Sequence, residues 1–93
     1  MDKKSQKVII ESLAMDLKRV ALGLHRGSLG MANRFKEEAL MRSDELEGIN
    51  TNAYIKKLLL YLKKIFTSAD EKVAEDFLMF STLFQNYAIK NLS

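Results

Sequence analysis

The sequence predicts an all-α protein, a small bundle of three to four helices formed by a single domain over residues 1–93. Three observations carry that expectation. Proline is absent and helix-favouring residues dominate. Apolar residues recur at spacings of three and four, and nowhere do they show the strict alternation of a half-buried strand. A length of 93 residues with 47% apolar and 29% charged side chains suits one folded domain, not a disordered tail or several modules.

The first segment has the clearest pattern. Ile10, Leu13, Leu17, Val20 and Leu24 advance by three and four, which keeps them on one helical face, and Ala14 and Ala21 widen the stripe. Past Leu24 the phase continues through Ser28, Met31, Ala32, Phe35, Ala39 and Leu46. Gly27 and Gly30 interrupt this stretch, each costing about 1 kcal/mol against alanine inside a helix. Two arrangements fit: a long or glycine-kinked first helix over 5–47, or a turn at Arg26–Gly30 between two antiparallel helices. The unbroken phase favours the first, while a length well beyond the usual globular helix keeps the second open.

Gly48 reads as the residue just past a helix C-terminus, followed by a connection with an Asn or Thr cap. A helix over 52–66 follows, with Ile55, Leu58, Leu59, Leu62, Ile65 and Phe66 on its buried face. Ser68 and Glu71 match a capping box, which predicts a final helix over 69–91. Asp70, Glu71, Glu75 and Asp76 fall in its first turns, where the helix dipole favours acid. Val73, Phe77, Phe80, Phe84 and Ala88 form its core stripe.

Composition excludes several chemistries. Without cysteine there is no disulfide framework, thiolate metal site or cysteine nucleophile. A single histidine excludes multi-histidine metal motifs, so no metal or other cofactor is expected. The longest apolar run, Leu58–Leu62, is far short of a membrane span, and the start MDKKSQK leads into an amphipathic pattern instead of a signal peptide. A cytoplasmic protein is the expectation.

The helices carry more apolar positions than one core stripe each requires. Met15, Leu22 and Leu29 repeat every seven residues on a second face of the first segment. Leu60 projects among lysines, and Leu78 and Ile89 flank the stripe of the last helix. Rows of this kind point to burial against another chain, most simply a second copy. The expected association residues are Met15, Leu22, Gly23, Gly27, Leu29, Leu60, Leu78 and Ile89, with the two glycines as points of close backbone approach. Charge is also blocked: net +5 over 1–36, −4 over 37–47, +4 over 48–64 and −2 over 65–93. Antiparallel pairing of 1–26 with 31–47, within one chain or between two, brings base beside acid. The expected partner is thus a protein, with a homodimer favoured, and the expected role is non-enzymatic association.

The alternative is a nucleic-acid role. Lys56, Lys57, Lys63 and Lys64 share one face of the third helix, bordered by Tyr54 and Tyr61, and such a stripe can track a phosphate backbone. A lysine face is also the ordinary solvated side of an amphipathic helix. Arg19 and His25 form an R-x5-H pair that resembles the motif of the HEPN family of small, helical, dimeric RNases. The resemblance implies an arginine and a histidine from two subunits converging on a scissile phosphate. It covers two residues, and Val20 stands where that family usually has a polar side chain. His25-Arg26-Gly27-Ser28 also resembles histidine phosphotransfer domains, except that Gly27 follows the histidine by two residues and no lysine sits on the next turn. No catalytic residue is assigned.

Overall fold

The computed structural model describes residues 3–49, 51–67 and 73–92, and these form four helices: α1 Lys3–His25, α2 Leu29–Glu47, α3 Ala53–Phe66 and α4 Val73–Asn91. No strand occurs among the described residues. Of the two arrangements open for the first segment, the chain adopts the hairpin. α1 ends in a Schellman motif, in which the Ser28 N–H donates to the Gly23 carbonyl at 2.8 Å and the Gly27 N–H to the Leu24 carbonyl at 3.2 Å. The motif needs a left-handed residue, and Gly27 supplies it at φ +71°. The apolar phase runs through this turn because both arms of the hairpin face one core.

Gly48 departs from expectation in a smaller way. It caps α2 in right-handed conformation (φ −78°) with its N–H on the Asp44 carbonyl, and no left-handed C′ residue is used there. At α3 the anticipated asparagine cap forms: Asn52 Oδ1 accepts the Ile55 N–H at 3.0 Å. Asn52 Nδ2 also donates to the Tyr87 hydroxyl at 2.7 Å, tying the start of α3 to the end of α4. The capping box predicted at Ser68 and Glu71 lies outside the described residues.

α1 and α2 are antiparallel, since Gly23 lies against Ala32 at one end and Val8 and Arg42 line a common groove towards the other. α3 and α4 are antiparallel too, with Tyr54 stacked on Tyr87 at 5.8 Å and Phe66 against Phe77 at 5.6 Å. The short 48–52 connection cannot return along the length of a helix, so the order is up-down-up-down within a 38 × 20 × 20 Å body. α1 is the central helix. It packs closely on α2 and α4, while α3 completes the bundle through α4 and α2.

Side-chain size explains that asymmetry. The α1 contacts run through small residues: Gly23 against Ala32, Ala39 in the core face of α2, and Ser81 of α4, whose hydroxyl donates to the Ala14 carbonyl at 2.6 Å. The faces of α3 and α4 instead carry Leu58, Leu59, Leu62, Phe66, Phe77, Phe80 and Phe84, which hold α3 further from its neighbours. With Ile10, Leu13, Leu17, Val20, Leu46 and Ile55 these residues make one continuous core. Each fully buried leucine or phenylalanine contributes about 1.5–3 kcal/mol.

The three glycines of the hairpin therefore differ. A Cβ on Gly23 meets the Ala32 backbone nitrogen at 2.8 Å, whereas at Gly30 it meets nothing. Gly23→Ala should lower stability by about 1–3 kcal/mol through overpacking. Gly27→Ala should cost about 1–2 kcal/mol through its left-handed backbone, and Gly30→Ala should gain up to about 1 kcal/mol. Urea melts of the three variants check this; equal shifts at all three positions would contradict the hairpin.

Candidate functional site

Once the bundle has closed, its surface still holds the surplus apolar positions. Met15, Leu22, Leu29, Leu60, Leu78 and Ile89 are all exposed, by 36 to 66% of their surface. None is drawn into the core, which is continuous without them. Leu29 does not continue the row expected of it, because it is the first residue of α2 beyond the turn; the α1 row is instead Val8, Met15 and Leu22 at seven-residue spacing. Leu78 and Ile89 flank the side of α4 that carries Ser81 and meets α1. Leu40, Met41 and Met79 are further exposed apolar side chains. Of the two glycines, Gly23 is buried against α2 of its own chain and presents no close-approach surface outward, while Gly27 forms the turn and is exposed.

Beside the α1 row runs a groove of about 400 Å³ between α1 and α2, lined by Val8, Glu11, Ser12, Met15, Asp16, Arg19, Glu38 and Arg42. Its floor is Asp16, only 5% exposed, with Arg19 Nη1 at 4.0 Å from its carboxylate. Arg19 also lies over the Phe35 ring at 5.2 Å. Burial is the main cause that pushes the Asp16 carboxyl up from 3.8 to about 6. Glu38 reinforces the rise through its charge and a hydrogen bond, and Arg42 and Arg19 oppose it. Antiparallel pairing of the basic and acidic segments thus occurs within one chain, but it sets two carboxyl groups together at the middle of the seam.

Sequence reasoning missed Asp16. Its only signal was a position between Met15 and Leu17, on the flank of the core stripe, and that flank becomes a seam only once α2 folds back.

The catalytic resemblance gains no geometry within one chain. Arg19 is held in the groove, while His25 is the exposed last residue of α1, six positions on and about 120° around the helix. The lysine face is formed as expected, with Lys56, Lys57, Lys63 and Lys64 exposed around Leu60. Two of its members are engaged: Lys63 Nζ bonds Glu47 of α2 at 2.6 Å, and Lys64 lies over the Tyr61 ring at 5.7 Å. Tyr54 is stacked on Tyr87. Among the described residues no group of His, Asp or Glu side chains is placed to hold a metal ion, and no helix is long and apolar enough to cross a membrane.

Fold and surface define a four-helix bundle with unpartnered apolar rows. Compared with protein-family models, curated proteins and solved structures, the chain matches none.

The raised Asp16 carboxyl makes stability depend on pH with a definite sign. Between about pH 4 and 6 the folded chain binds the Asp16 proton that the unfolded chain has released, so this group's stabilisation falls as pH rises through that window. Asp16→Asn keeps the shape and cannot ionise. It should be more stable than wild type above pH 6 by about 1–3 kcal/mol, with the difference vanishing near pH 4. Thermal melts of both proteins from pH 4 to 8 test this; a constant difference across the range would mean that Asp16 is not the titrating group.

Proposed function

We propose that this chain is a non-enzymatic association protein whose working form is a homo-oligomer, a dimer in the simplest case, joined through its exposed apolar rows. One observation carries the proposal: the core is complete without Met15, Leu22, Leu60, Leu78 and Ile89, yet these residues stand exposed, and those of α1 follow a heptad line. Singly exposed leucines are common on monomers. A row at regular spacing along the central helix is a strip that a second helix can cover. Burying one such leucine contributes about 1.5–3 kcal/mol, so a few from each chain offset the entropic cost of joining two bodies.

Light scattering on a sizing column should give about twice the 10.6 kDa chain mass, little changed by salt. Leu22→Glu and Leu78→Glu alter exposed positions, so each should remain folded and at least one should lower the mass. If both keep the wild-type mass and melting temperature, the rows are not an interface.

A second reading rests on the lysine face, where Lys56, Lys57 and Lys64 reach solvent beside Tyr61. It predicts binding to single-stranded nucleic acid that weakens by orders of magnitude between low and physiological salt. Binding that is absent, or flat with salt, removes it.

A further inference from the structure

The outer line of α1 is self-complementary. Val8, Met15 and Leu22 are exposed at seven-residue spacing, and Met15 is the midpoint of the three. Met15 is equally the midpoint between Glu11 and Arg19, whose side chains are both about half exposed. A two-fold axis at Met15 therefore sets Val8 of one chain opposite Leu22 of the other, and Glu11 opposite Arg19. Apolar meets apolar and acid meets base, each contact occurring twice, as an isologous interface requires. Lys18 falls opposite Ser12, while at the two ends Lys4 falls opposite the exposed Arg26, a like-charge pair left in water at the rim of the contact. A parallel pairing would set Glu11 on Glu11, Lys18 on Lys18 and Arg19 on Arg19.

Within its own chain Glu11 has Lys7 at 3.8 Å and Arg19 has Asp16 at 4.0 Å, so in the dimer each of the two shares its charge between an own-chain and a cross-chain partner.

We propose that α1 is the two-fold contact of a homodimer, a second copy lying antiparallel along Val8, Met15 and Leu22, with Met15 on the axis and Glu11 of each chain against Arg19 of the other. This rests on the self-association proposed above and adds its geometry.

The chain has no cysteine, so an introduced thiol is unique. Met15→Cys, treated at dimer concentration with a short bismaleimide, should give covalent dimer in high yield. Leu22→Cys alone should not, because the two thiols lie about 21 Å apart along the paired helices. Val8→Cys mixed with Leu22→Cys should give the mixed dimer. The charges supply an independent check. Glu11→Arg and Arg19→Glu should each raise the dimer Kd at least tenfold, and the double swap should bring it back to within a few-fold of wild type. Circular dichroism confirms that each variant is folded.

A wild-type dimer that fails to link at Met15, or that links equally through Leu22, overturns this geometry and leaves self-association standing. The same holds for a charge swap without rescue. A wild-type chain that stays monomeric at millimolar concentration overturns both.

Discussion

The close approach of α1 and α2 beside Gly23 governs much of the rest of the molecule. There the Ala32 backbone occupies the space that a side chain on α1 would fill, and four residues later Gly27 takes the left-handed conformation that reverses the chain. The two glycines act together: the carbonyl of the first accepts the hydrogen bond that closes the turn made by the second. With α2 seated so near, α1 has one flank covered by small residues and the opposite flank free for α4. The Ser81 hydroxyl on the Ala14 carbonyl allows a similar closeness there. α1 thus becomes the most closely packed helix of the bundle, held on two sides, and its outward line of Val8, Met15 and Leu22 stays exposed.

The same closeness accounts for the electrostatic oddity at the centre. Asp16 lies on the flank of α1 that α2 covers, so folding removes it from water and brings Glu38 beside it. An acid in that place is a cost to the folded state at neutral pH. Arg19 and Arg42 reduce the cost without abolishing it. At the other flank of α2 the charges are arranged more favourably, since Glu47 meets Lys63 of α3 directly.

Much of this is legible in the amino-acid sequence itself. The stripes of α1, α3 and α4 follow from helical spacing, and Ile10, Leu13, Leu17, Leu62, Phe77 and Phe84 are buried where the pattern puts them. The hairpin was not separable from a long helix, because periodicity reports which face is apolar and not whether the chain has reversed. The usable signal was Gly23 and Gly27 four apart, the spacing that a Schellman turn places at its closing carbonyl and its left-handed residue. Asp16 was illegible for the same reason, its burial being a product of the reversal. The surplus rows were legible because exposure follows from angle alone: Met15 and Leu22 lie far from the stripe on the wheel wherever α2 goes. What Gly23 does could not be read from composition, since a small residue serves a neighbouring helix of its own chain as well as one from another.

The Asn52–Tyr87 hydrogen bond and the Tyr54–Tyr87 stack give the molecule a built-in optical label. With no tryptophan and only three tyrosines, the near-ultraviolet signal of the chain has few sources. Two of the three rings lie face to face where α3 begins and α4 ends. Their coupled dichroism and emission in the tyrosine bands therefore monitor the docking of one helix pair, while the α1–α2 hairpin, whose only aromatic residue is Phe35, is silent in those bands. Separation of α3 from α4 can in this way be watched apart from loss of helix, with no dye attached and no residue changed.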